Sequence, residues 1–164
     1  MREYAEKIYR PATIAYRNRT ADGGKLAEEL AEWQKRINDG WMQLRFGMLT
    51  TSQDGDYWSF SVEVYFGELP AQDVRVELYA DPLPYEREEP VSGSSPDNGR
   101  RKQQNCPEKI VMAQQGPLAG AINGFIYSAR VAAKRAVEDY TPRIVPYHEH
   151  AFIPLEEAHI LWMR

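Results

Sequence analysis

The sequence predicts a mainly β protein: an immunoglobulin-like antiparallel β-sandwich preceded by an N-terminal α-helical segment. Three observations predict it. Apolar residues recur at helical spacing up to Gly40, they alternate with polar ones beyond it, and the alternating runs are short and separated by Pro/Gly corners. With 164 residues the chain has the length of one domain. A domain of that size hides roughly 68–70% of its unfolded surface, enough for a single core.

The helical segment is placed at 1–40 and the sandwich at 41–164. Leu26, Leu30, Trp33 and Ile37 follow steps of four, three and four, one stripe of a helix bounded by Asp22-Gly23-Gly24 and Asn38-Asp39-Gly40. An earlier helix is expected around Tyr4 and Ile8, ending or kinking at Pro11, which has no amide to donate. After Gly40, Met42, Leu44, Phe46 and Met48 form the apolar side of an alternating run. Asp54-Gly55 then marks a hairpin turn. Trp58, Phe60, Val62, Val64 and Phe66 alternate with Tyr57, Ser59, Ser61, Glu63 and Tyr65, so one face should be buried and the other wet. Val74, Val76 and Leu78 repeat that pattern after the corner at Leu69-Pro70, and further strands are expected at 109–113, 124–133, 141–145 and 158–163. The stretch at about 81–107 has five prolines and almost nothing to bury, which reads as a mobile loop. Gly116-Pro117-Leu118-Ala119-Gly120 reads as a turn between strands.

Charge narrows the partners. The net charge of −4 argues against nucleic-acid binding, and residues 1–48, with nine basic and seven acidic side chains, do not form a basic arm. No apolar run approaches the roughly 18–20 residues of a membrane helix, and the first residues show no signal-peptide pattern, so the expected location is cytoplasmic and no membrane partner is expected. A lone cysteine, Cys106, excludes an internal disulfide and any zinc site built on several cysteines. No base neighbours it, so an incidental thiol is expected.

Few residues suggest chemistry. His148 and His150 stand two apart, the spacing that sends two strand side chains to one side, with His159 nearby, yet zinc needs three or four convergent ligands. Flanking Pro146 and Pro154 favour loop histidines instead. No phosphate loop, dinucleotide fingerprint, zincin motif or nucleophile elbow occurs. The unusual number is the aromatic count, with ten Tyr and four Trp. Trp33 and Trp58 lie on apolar stripes and are expected in the core. Tyr57, Tyr65 and Tyr79 alternate outward and could stack on sugar rings, with Tyr127 as a candidate from another strand, although packing explains such tyrosines more simply.

Three segments together carry a resemblance. They are Tyr4–Ala12 with Leu26–Trp33, then Phe66–Tyr79, and finally Tyr140–His148 through Leu161-Trp162. In that order they resemble the C-terminal end of bacterial and archaeal α-glucan (glycogen/maltodextrin-type) phosphorylases: the last helix of the catalytic region followed by a β-sandwich extension. The resemblance covers most of the chain except 82–107. It implies a parent glycosyltransferase that moves glucosyl units between glucan and phosphate with pyridoxal phosphate, held in lobes upstream of this region. No catalytic, cofactor-binding or metal-binding residue carries over, and a pyridoxal enzyme needs more chain than a helix and a sandwich leave. The expectation is a non-catalytic accessory domain of glycogen or starch metabolism, structural or docking, seated on a phosphorylase catalytic domain in cis or in trans or self-associating. The alternative is a carbohydrate-binding module for α-1,4-glucans, with Tyr57, Tyr65, Tyr79 and Tyr127 as its candidate contacts. A weaker third reading is a small metal-dependent enzyme around His148 and His150.

Overall fold

The computed structural model describes Arg17 and residues 19–82 and 106–164. The helix expected around Tyr4 and most of the loop expected at 81–107 lie outside the described residues.

Helix α1 (Lys25–Gly40) starts after Gly23 and Gly24, whose positive φ values of 72° and 86° suit glycine and turn the chain into the first helical residue. Leu30, Trp33 and Ile37 are buried along one side, the stripe expected from their spacing. Its last residue lies close to the sandwich: a Cβ on Gly40 would stand 3.1 Å from Leu69 Cδ1. Among the described residues no helix is long and apolar enough to cross a membrane.

Eight antiparallel strands follow among the described residues: β1 (Arg45–Asp54), β2 (Tyr57–Tyr65), β3 (Val74–Ala80), β4 (Glu108–Val111), β5 (Ala113–Pro117), β6 (Gly124–Ala132), β7 (Tyr140–Pro146) and β8 (Leu161–Trp162). They form two four-stranded sheets in the orders β1-β2-β6-β5 and β4-β3-β7-β8. Lettered along the chain these are A-B-E-D and C′-C-F-G, the immunoglobulin-type arrangement with one added edge strand. The fold class read from the sequence is therefore the one observed.

Period two does the sorting. On β2, Phe60, Val62 and Val64 are buried, and Phe66 just beyond the strand is too; on β3, Val74, Val76, Leu78 and Ala80 are. Phe60 meets Tyr140 of the opposite sheet edge to face at 5.5 Å. Leu30, Trp33 and Ile37 of α1 belong to the same hydrophobic cluster, so helix and sandwich share one core. The helix covers the pole where β3 begins and β7 ends. Trp58 is only half-buried, with its Nε1–H donated to the Arg135 carbonyl at 3.0 Å.

Several expectations need correction. Met42 sits in a 3-10 turn (Trp41–Gln43) that prolongs the helix and is 90% exposed, so the alternating run does not begin there. Met48 is exposed as well. Between Phe46 and Leu49 β1 carries one more residue than β2 opposite it, a bulge that exchanges the inward and outward faces. Glu63 holds this bulge by accepting the Met48 amide at 3.1 Å, and a Cβ on Gly47 would come within 2.9 Å of the Tyr65 ring. Third, the turn expected at Gly116–Gly120 begins later: Gly116 and Pro117 end edge strand β5 and the chain turns at Ala119-Gly120, while only Leu161-Trp162 of the expected last strand is paired.

Candidate functional site

The densest polar construction lies where α1 meets the sandwich. Asp73 is a short-turn residue just before β3, 5% exposed. A buried carboxylate needs a counter-charge, and Arg36, one helical turn past Trp33 on α1, supplies it: Nε to Oδ2 is 2.7 Å and Nη2 to Oδ1 is 3.3 Å. The Asp73 carbonyl accepts the Trp33 indole N–H at 3.3 Å and the Tyr147 amide at 2.9 Å. Helix α1, the start of β3 and the end of β7 are thus tied at one residue.

A second tie holds the segment after β7. Arg19 forks onto Glu156 with distances of 2.6 and 2.8 Å and also donates to the His150 carbonyl at 2.9 Å. Glu156 accepts the Phe152 amide as well, and its carbonyl takes Gln34 of α1 at 2.9 Å. The Arg19 hydrogen bond, helped by the Phe152 amide and opposed by partial burial, holds the Glu156 carboxyl below the ordinary carboxylate range. The same bond raises Arg19 further above neutrality.

The three histidines are spread along this segment. His148 packs against Trp33 with ring centroids 5.6 Å apart, accepts the His150 amide on Nδ1, and turns Nε2 toward Glu29 at 3.5 Å. His150 lies 3.1 Å from its neighbour Glu149. His159 packs on Trp41 at 4.9 Å and pairs with buried Glu157. Among the described residues no three His, Cys, Asp or Glu side chains converge as metal ligands would. His148 and His159 instead press on Trp33, midway along α1, and on Trp41 just past its C-terminal end. Cys106 is a free, exposed thiol.

The candidate sugar-stacking tyrosines do not gather on one face. Tyr57 and Tyr65 are on the outer side of the β1-β2-β6-β5 sheet, each with a guanidinium over its ring: Arg130 at 4.3 Å on Tyr57 and Arg45 at 4.4 Å on Tyr65. Tyr79 is on the other sheet, between Arg143 at 4.5 Å and the edge of Trp162, and donates its hydroxyl to Asp81. Burial first, then that donation, raises its phenol above the ordinary value. Tyr127 corrects the expectation outright. Opposite Val62 on β6, it shares the inward parity, is 6% exposed and lies against Phe66, and burial raises its phenol too.

What the outer face between Tyr57 and Tyr65 does hold is a shallow groove of about 520 Å³. Thr50 and Ser52 of β1, Ser59 and Ser61 of β2, and Ser128 and Arg130 of β6 floor it, with the Ile110–Ala113 crossover as one wall. Its polar groups can donate to and accept from a hydroxylated ligand. The parity of Ser59 and Ser61 was readable in the sequence; the crossover that makes a groove of a flat face was not. Asp73, Arg36, Arg19 and Glu156 were missed because a lone loop carboxylate or helix arginine carries no signal until the helix folds back.

A helix-capped immunoglobulin-like sandwich, braced at one pole and grooved on one sheet, is the class this fold and site define. No family model, curated protein or solved structure matches the chain.

Proposed function

We propose that the chain is a non-catalytic accessory domain of an α-glucan phosphorylase-like enzyme of glycogen or starch metabolism, docking on the catalytic lobes. One observation supports this reading above others. The segments that carry the resemblance, Leu26–Trp33, Phe66–Tyr79 and Tyr140–His148, meet at Asp73, through the Trp33 indole, the Tyr147 amide and the His148–Trp33 contact. Residues shared with such a family for a structural reason should form a junction of this kind. The polar side chains there are paired to each other and brace the helix, as docking requires and chemistry on a substrate does not. The test mixes the full chain with an α-glucan phosphorylase truncated before its sandwich extension and measures mass by light scattering. A one-to-one complex is expected, while the chain alone releases no glucose 1-phosphate from glucan and phosphate. Absence of a complex overturns docking.

The second reading, a glucan-binding module, draws on the groove, where hydroxyls stand beside Tyr57 and Arg130. Titration with maltoheptaose decides it. Saturable binding below about 1 mM, near −4 kcal/mol, that is lost in Ser59→Val and Tyr57→Ala would replace the docking reading.

A further inference from the structure

The β1-β2 hairpin turns through Gly55 and Asp56, with Gly55 at φ 56° and Asp54 opposite Tyr57. A two-residue turn with glycine first makes that closing pair mutually hydrogen-bonded. Alternate pairs repeat the pattern, Ser52 with Ser59 and Thr50 with Ser61. The Ala133 amide donates to the Asp56 carbonyl at 2.8 Å, which requires Tyr57 to turn its own backbone groups toward β1 and agrees with this phase. Leu49, Thr51 and Gln53 therefore present their N–H and C=O groups to the outer edge of the sheet. Among the described residues no backbone group meets them.

Open edges are ordinarily protected, because they template pairing with other chains. The other three edges follow that rule. Strand β4 has four residues beginning Glu108-Lys109, β5 carries a register shift between Gln114 and Gly116 and ends in Pro117, and β8 has two residues. Strand β1 breaks it beyond its bulge: from Leu49 to Gln53 its pairing with β2 is regular, and the sequence has neither charge nor proline.

We propose that this edge pairs with the β1 edge of a second copy, antiparallel about a two-fold axis through Thr51, joining two β1-β2-β6-β5 sheets into one. The sequence of the edge selects a second copy as the occupant. With the axis at Thr51, the open pairs match in phase: Thr51 with its own copy, and Leu49 with the other copy's Gln53 on both sides, about six backbone hydrogen bonds in all. Thr50 then stands beside the other copy's Ser52, a favoured hydroxyl pair. Asp54 falls opposite the exposed Met48, so no like charges meet. A symmetric interface must be self-complementary, and this register is. The surface joined is small, which places the association in the weak class.

The inference is independent of the glucan reading. It is tested on the full chain by sedimentation equilibrium from about 5 to 500 μM, where weak interfaces of this class associate. A monomer–dimer equilibrium is expected. Thr51→Pro removes an amide that faces the open edge, not β2, and Thr51→Lys sets two like charges on the axis. Each should weaken dimerisation at least tenfold with unchanged circular dichroism, whereas Gln115→Lys on the β5 edge should not. Should either Thr51 variant fail to fold, residue-level amide exchange on the unaltered chain still decides. Within β1, only the Leu49, Thr51 and Gln53 amides should gain protection with concentration. A monomer at every concentration, a dimer indifferent to both Thr51 variants, or protection gained elsewhere overturns the proposal.

Discussion

Removing Arg36 and removing the charge of Asp73 should not cost the same, although they form one ion pair. The pair is lopsided: the Arg36 side chain is 44% exposed and that of Asp73 only 6%. In Arg36→Met the aliphatic part of the side chain is kept, but a buried carboxylate loses both of its hydrogen bonds, at 2.7 and 3.3 Å. Stranding a buried charge costs about 3–5 kcal/mol, and the open side of this pole favours the lower end, about 3 kcal/mol. In Asp73→Asn the amide oxygen can still accept from Arg36, and the guanidinium, already partly in water, rehydrates. The loss is then that of one charge-assisted bond reduced by solvent screening, about 1–2 kcal/mol. The double variant should lie closer to Asp73→Asn than to Arg36→Met, because with the carboxylate gone nothing is stranded. Urea titration at pH 7 followed by tryptophan fluorescence reads all four proteins, with equal slopes as the check on two-state unfolding. If Asp73→Asn costs as much as Arg36→Met, or the two losses simply add, the argument from unequal burial is wrong.

Phe60→Ala should lose about 3–5 kcal/mol, since the ring is fully buried and bridges the sheets through Tyr140, while the adjacent outward Ser59→Ala should stay within about 0.5 kcal/mol in the same titration. Glu156→Gln should lower the melting temperature at pH 7, and by less and less as the pH is taken down below about 4.3. The folded carboxyl titrates below its unfolded value, so its contribution is present above about pH 4.3 and disappears as pH falls through the folded value. Gly67→Ala should cost about 1–3 kcal/mol by thermal melting. Gly67 has φ 60°, and a Cβ there would run into the Gln43 side chain, whose oxygen accepts the Glu68 amide.

Much of the fold was legible because one face of each central strand is dry. Ser59, Ser61 and Glu63 between Phe60, Val62 and Val64 fix which way β2 faces, and Leu30, Trp33 and Ile37 fix the buried side of α1. Strand β5 was illegible for the converse reason. Gln114, Gln115, Gly116 and Pro117 lie at a wet edge, where neither face must be apolar. The bulge in β1 was hidden because its cause is across the ladder, in the reach of Glu63 to the Met48 amide. Tyr127 and Tyr57 look alike as isolated tyrosines. Only the phase of β6 against Val62 sends one inward. The junction at Asp73 depends on contacts of that residue with Trp33 and Tyr147, separations at which local pattern carries no information.

The pairing of Ala80 with Glu108 has a practical consequence. It closes the chain between β3 and β4 at the pole remote from α1, about 20 Å along β3 from Asp73. The closure entropy of such a connection grows only with the logarithm of its length, about 0.6 kcal/mol per doubling. A stretch of chain spliced in between these anchors would therefore add little closure cost, at the end of β3 away from the braced pole. The sole thiol, Cys106, stands two residues before that anchor and is exposed. A maleimide dye there would give one label per chain at a known end of the sandwich, a ready ruler for whatever approaches the helix at the other end.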